Sequence, residues 1–167
     1  MKPFGSLILI YLICMNTASA QTDAEITDDL NVYWSQVISA VEEGDFDGYA
    51  NTFHIDAVLV SDVSGQSYPI AKALSGWKAG FDSTANGEIT VSLEFKMSKR
   101  LHDDSTAHET GIFKYQSTDQ GGKTVTALIH FESLIIKQGN DWKMIMERQI
   151  KPASDDEWNA LPDSNDE

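Results

Sequence analysis

From residue 22 to residue 43, apolar side chains recur at Ile26, Leu30, Tyr33, Trp34, Val37, Ile38 and Val41. Steps of three and four describe one face of a helix, with Asp23 or Thr27 available to cap its start and Gly44 to end it. Asp45-Phe46-Asp47-Gly48 then opens a second short helix running through Tyr49, Ala50 and Phe53, so the two form an αα-hairpin. Asp56 to Ser61 reads as a strand, Ser64-Gly65-Gln66 as a turn, and Ile70 to Phe81 as a third helix. After Glu88 the period falls to two: Ile89, Val91, Leu93, Phe95 and Met97 alternate with polar partners, the mark of a half-buried strand. Ala107 to Gln116, Thr124 to Lys137 and Trp142 to Ile150 continue as strands, separated by Asp119-Gln120-Gly121-Gly122 and by Gln138-Gly139-Asn140-Asp141. The expected fold is α+β, about three N-terminal helices packed on a curved, mainly antiparallel sheet. Beyond Pro152 apolar content collapses, so residues 153–167 read as an acidic, solvated tail in which Trp158 and Leu161 are the groups able to dock on the body.

The first twenty residues stand apart from this pattern. Lys2 supplies a positive charge, Leu7 to Met15 is an unbroken apolar run, and Ala18-Ser19-Ala20 places small residues at a cleavage site. These are the parts of a secretory signal peptide, and the run is too short for a membrane span. Cleavage after Ala20 would remove the single cysteine, Cys14, and leave residues 21–152 as one domain in a secreted or periplasmic chain without disulfides.

Charge narrows the choice of partners. The 167 residues hold 12 Lys+Arg against 26 Asp+Glu, a formal net charge of −14. Such a field repels phosphate backbones and anionic lipid heads, which argues against nucleic-acid binding and, after signal cleavage, against membrane binding. With 41% hydrophobic and 10% aromatic residues the chain can still build a real core.

Gly44-Asp45-Phe46-Asp47-Gly48, followed by Phe53-His54-Ile55-Asp56-Ala57-Val58-Leu59-Val60, resembles the cone-shaped superfamily named after nuclear transport factor two, in its SnoaL-like and ketosteroid-isomerase-like branches. Gly139-Asn140-Asp141-Trp142-Lys143-Met144-Ile145 is similar to that family's final Gly-x-Trp-Lys-hydrophobic hairpin. The resemblance covers about residues 26 to 150 and implies a pocket between helices and sheet, often in a two-fold homodimer packed sheet to sheet. It implies no single reaction, because such folds serve isomerases, dehydratases, cyclases, epoxide hydrolases and assembly domains alike.

Carried over position by position, the resemblance puts the isomerase's base at Ser61, its oxyanion-stabilising tyrosine at Val37 and its second oxyanion-hole acid at His130. Serine without an adjacent base cannot abstract a carbon-bound proton and valine donates no hydrogen bond, which disfavours steroid isomerase chemistry. If the last hairpin turns at Gly139-Asn140, pairing places Glu132 opposite Glu147 and His130 opposite Gln149. One face would then carry His130, Glu132, Glu147 and Gln149, able to act as an acid–base group in a hydratase, dehydratase or isomerase. The other face carries Val125, Ala127, Ile129, Phe131, Ile135, Trp142, Met144 and Met146. Two assignments stand: the apolar face packs on the helices, as hydrophobic pattern favours, or it forms a dimer seam and the polar face lines the pocket, as the isomerase-like alignment favours. Tyr33, Trp34 and Trp77 suit the core or the aromatic wall of an apolar ligand site, with Val37, Ser61 and Gln149 completing the candidate pocket.

Four histidines without His-x-x-x-His spacing give no zinc signature, and no phosphate loop, nucleophile elbow or dinucleotide fingerprint is present. No metal and no cofactor is therefore implied. The expected function is an exported SnoaL-like domain holding a small apolar or amphipathic molecule, with catalysis by His130 and Glu132 or Glu147, or protein–protein assembly, as alternatives.

Overall fold

The computed structural model describes residues 21–162; the expected signal peptide lies outside the described residues. The chain runs α1 (Asp23–Glu43), α2 (Phe46–Asn51), β1 (Phe53–Ser61), β2 (Gln66–Pro69), α3 (Ile70–Ala85), β3 (Ile89–His102), β4 (Thr106–Asp119), β5 (Thr124–Gln138), β6 (Asp141–Pro152) and α4 (Asp155–Asn159). One six-stranded sheet has the order β2-β1-β6-β5-β4-β3. All neighbours are antiparallel except β1 and β6, which run parallel.

Helix α1 is capped by Thr22, one residue before Asp23 and five before Thr27, the two expected caps. Thr22 accepts from the backbone N–H of Glu25 and the Glu25 carboxylate accepts from the Thr22 N–H at 2.8 Å, a reciprocal cap. Gly44 ends the helix at φ 72, and a Cβ there would lie 2.5 Å from the Ala85 backbone nitrogen. The α1 to α2 turn thus needs glycine both for its left-handed backbone and for the close approach of the end of α3. The apolar stripe of α1 is the buried face: Ile26, Leu30, Tyr33, Trp34, Val37 and Val41 all join the core with Leu59, Phe131 and Ile135. Each such large apolar side chain contributes ~1.5–3 kcal/mol on burial.

Helices α1 to α3 cover one face of the sheet, its inner face, and the short α4 docks on the other. The α4 segment corrects the expectation of a solvated tail beyond Pro152. Ser154 and Glu157 cap it reciprocally, and Trp158 is buried under the Lys96 and Lys114 ammonium groups, 5.1 and 5.7 Å from the ring centroid. Acidic composition did not keep the segment off the body, because a capping box and one large aromatic anchor suffice for a single helical turn. Strand β2, which pairs with β1 from Ser61↔Gln66 to Val58↔Pro69, begins at the last residue of the expected Ser64-Gly65-Gln66 turn and runs over residues 67–69, for which no element was expected.

The expected pairing within the last hairpin is overturned midway along it. Gln138↔Asp141, Ile136↔Lys143 and Ile135↔Met144 follow the turn at Gly139-Asn140. The next pair is Leu134↔Met146, so Ile145 is an extra residue, a β-bulge. Beyond it Glu147 pairs with Ser133, Arg148 with Glu132 and Gln149 with Phe131; a second shift pairs His130 with Lys151. A one-residue slip exchanges the faces. Glu147 and Gln149 therefore join Met144 on the inner face, while Met146 turns outward. The expected single face of His130, Glu132, Glu147 and Gln149 does not exist.

Of the two assignments left open for the sheet, the inner face follows hydrophobic pattern at Phe131, Ile135, Trp142 and Met144, all buried. The bulge then adds two polar groups to it.

Candidate functional site

Between α1, α2, α3 and the inner face of the sheet lies a cavity of about 430 Å³. Its wall is predominantly aromatic. Trp34 comes from α1, Tyr49 from α2, Trp77 and Phe81 from α3, Phe95 from β3, Phe113 and Tyr115 from β4, and Phe131 from β5. The rings brace one another: Trp34 and Phe95 centroids are 4.5 Å apart, Tyr49 and Phe81 5.0 Å, and Phe95 and Phe131 5.4 Å. Helix α3 turns Gly76, Gly80 and Thr84 to the same space, and a Cβ on either glycine would meet nothing within 4 Å. Small residues one turn apart hold the wall back on that side.

Glu147 and Gln149 bring polarity to this wall, and the Gln149 side-chain amide donates to Glu147 Oε1 at 2.9 Å. Burial pushes the Glu147 carboxyl above its usual range, only partly offset by the Gln149 hydrogen bond. Tyr49 and Tyr33 are also raised, first by burial and then by the nearby Glu147 charge, which places both rings within its electrostatic reach.

Cross-strand register sets a second carboxylate in the same row. Arg100, Glu109, Ser133, Glu147 and Leu59 are successive inward partners across β3, β4, β5, β6 and β1. Glu109 is 0% exposed. Its Oε1 accepts from Arg100 Nε and its Oε2 from the Trp34 indole N–H, while Arg100 Nη1 donates to Asn31 on α1. This network ties α1 to the sheet at one end of the row.

Among the expected pocket residues, Trp34, Val37, Trp77 and Gln149 line the cavity, as does Glu147. Ser61 and Tyr33 do not. Ser61 is buried, its hydroxyl accepting from the Ser64 N–H at 3.2 Å. Tyr33 donates to the Thr52 carbonyl and borders a more polar groove formed with Asp141 and Lys143.

His130 and Glu132 lie on the opposite face of the sheet. His130 Nε2 is 3.1 Å from Glu157 of α4, which also takes a hydrogen bond from Lys151 at 3.0 Å. Glu132 contacts His108 Nε2 at 2.7 Å and receives Arg148 at 3.4 Å, and Arg148 in turn meets Asp62 at 2.7 Å. His108 first, then Arg148, holds the Glu132 carboxyl below its usual range. On that outer face Glu132 is fastened to His108 and Arg148 while His130 lies beside Glu157, with the sheet between both residues and the cavity.

Sequence reasoning missed Tyr49, Phe81, Phe95, Phe113 and Tyr115 as cavity residues, and Arg100 with Glu109 as the buried ion pair. The period-two alternation of β3 already put Phe95 on the face of Val91 and Leu93, and the Gly76 to Gly80 spacing marked the open side of α3. Nothing in the sequence distinguished Glu109 from a surface acid. Among the described residues no group of three or more His, Cys, Asp and Glu side chains is arranged to hold a metal ion, and no helix is long and apolar enough to cross a membrane.

The same arrangement of helices and sheet recurs in solved structures. A conserved protein from Planctomyces limnophilus superposes with a TM-score of 0.66 at 9% identity, over 78% of this chain and 99% of its own. An NTF2-like protein of unknown function from Shewanella oneidensis gives 0.57 at 19% identity, over 74% of this chain and 97% of its own. An NTF2-like superfamily protein from Salmonella enterica gives 0.58 at 10% identity, covering 80% and 96%. No family model matches the chain, and no curated protein does. The chain has the NTF2-like α+β fold, an open six-stranded sheet carrying α1 to α3 on one face.

Proposed function

We propose that this chain is an exported binding domain that takes a small apolar or amphipathic molecule into the cavity between α1, α3 and the sheet. The observation that carries this reading is the cavity itself: an aromatic wall of drug-sized volume with a carboxylate–amide pair, Glu147 and Gln149, set into it. Concave, mainly apolar sites with a few convergent polar groups are the usual form of small-molecule sites. Export rests on the signal-like residues 1–20.

Filling the cavity tests the proposal. Gly80→Leu places a side chain where a Cβ meets nothing within 4 Å, and it replaces a mid-helix glycine by a strong helix former. The variant is expected to be at least as stable to urea as the parent and to lose uptake of the neutral naphthalene dye prodan, followed by its fluorescence blue shift. Undiminished dye binding by the stable variant would remove the cavity as the binding site.

Glu147 also supports catalysis as a second reading. A carboxyl raised by burial inside an aromatic cavity is suited to move a proton in a cofactor-independent isomerisation or dehydration. In this reading His130 and Glu132 play no part, since both lie beyond the sheet.

A homodimer fits the outer face. Leu101, His108, Leu134, Met146 and Val58 form one cross-strand row there, with Leu101 49% and Leu134 37% exposed. Sedimentation is expected to show a dimer that Leu134→Lys converts to a monomer; a monomeric parent would end this part of the proposal.

A further inference from the structure

Glu147 presents a problem of charge that its own surroundings leave unsolved. Among the described residues the cavity wall contains no Lys, Arg or His and Glu147 makes no ion pair. Among the described residues its one hydrogen bond comes from Gln149 to Oε1, and Oε2 accepts none. A carboxylate in such a place is costly unless it meets a proton or a cation. Two strands away in the same row Glu109 has the solution built in, as Arg100 and the Trp34 indole.

The rings that line the cavity with Glu147 favour a cation as well. Trp34, Tyr49 and Phe131 all face the same cavity, and the faces of such rings attract ammonium groups within about 6 Å, most strongly where water is excluded. The chain's 26 acidic against 12 basic residues add a field that draws cations and repels anions at long range.

We propose that the molecule held in the cavity is an amphipathic amine, with its ammonium group against Glu147 and its apolar body along the aromatic wall. The inference rests on the cavity being a binding site and specifies what it binds. An anionic ligand would meet Glu147 with like charge. A neutral one would leave the carboxylate without a countercharge.

Three probes of one shape test it: 1-naphthylmethylamine, 1-naphthylmethanol and 1-naphthoate, each titrated at pH 7 into the chain from residue 21 onward with prodan as the displaced dye. The amine is expected to bind about tenfold or more tighter than the alcohol, and the carboxylate weakest. Glu147→Gln should bring the amine down to the alcohol's level while leaving alcohol binding within about twofold, a result that also shows the variant folded. An alcohol that binds as tightly as the amine in the parent protein, or an amine preference that survives Glu147→Gln, overturns the proposal while the cavity remains a binding site. If neither prodan nor any of the three probes binds, the binding reading fails with it.

Discussion

Glu109 and Glu147 leave the sheet on the same side, in the same cross-strand row, with Ser133 between them. At ordinary strand spacing their backbones are ~10 Å apart. Glu109 is closed in by Arg100 and the Trp34 indole; Glu147 faces the cavity with a neutral amide for company. Two acids in nearly the same position of the fold thus differ in one thing, whether the chain supplies the countercharge. The one that has it holds α1 against β3 and β4. The other has no countercharge among the described residues, and the proposed amine would supply it.

The sharpest way to break this contrast is to remove the paired acid. Glu109→Ala leaves the Arg100 guanidinium, 13% exposed, without its carboxylate and deprives the Trp34 N–H of its acceptor. Breaking a buried ion pair from one side costs ~3–5 kcal/mol, so urea unfolding should show a loss of that size. Arg100→Met should be similarly damaging alone, and combining the two should recover part of the loss, because neither partner is then left charged. A loss below about 1 kcal/mol for Glu109→Ala would make the two acids alike and dissolve the distinction.

Glu147→Gln should act in the opposite direction. Because burial raises the Glu147 carboxyl above its unfolded value, the folded chain holds that proton more tightly than the unfolded one. Its contribution is therefore neutral below the ordinary carboxylate range, and the unliganded protein loses stability as pH rises from there through the folded-state value. At pH 7 the glutamine variant escapes this penalty and should gain on the order of 1 kcal/mol or less; at acid pH the two proteins should converge. Paired urea titrations at pH 4 and pH 7 measure both ends. A variant less stable than the parent at pH 7 would mean that Glu147 is satisfied in the folded protein.

The two acids could not have been told apart from sequence, and the reason is geometric. Helical spacing identified α1, and Gly44-Asp45 located its end; the turn at Gly139-Asn140 correctly set the first pairs of the final hairpin. What failed was parity. Ile145 is the bulged residue, yet it sits among Met144, Met146 and Lys143 with no glycine or proline to mark it. Counting by twos through that point put Glu147 with Glu132 and His130, and the bulge puts it with Met144. Strand β2 escaped notice for a different reason. Its four residues, Gln66 to Pro69, are largely exposed and draw their strand conformation from pairing with β1, a contact no local pattern announces. Partners across the sheet, such as Arg100 for Glu109, become readable only once register is known.

The smallest effect sharpens the contrast between the two faces. Glu157 on the outer side is held down to about 2, first by the Ser154 backbone N–H, then by Lys151, with His130 also contributing. A depressed carboxyl stabilises the folded chain above its ordinary value and gives that up as pH falls toward 2. The α4 cap and the Lys151 contact should therefore loosen between those limits. Acidification acts oppositely inside, where protonation relieves Glu147. Following the four indole N–H resonances by NMR from pH 6 to pH 2 should show Trp158 moving first, as α4 leaves Lys96 and Lys114, while Trp34 on the inner face keeps its shift until global unfolding. His130→Ala should bring the Trp158 transition to higher pH and leave prodan binding unchanged, because the sheet separates His130 from the cavity. Should His130→Ala abolish dye binding in a folded protein, the two faces would be coupled, and the assignment of His130 to the outer surface alone would have to be abandoned.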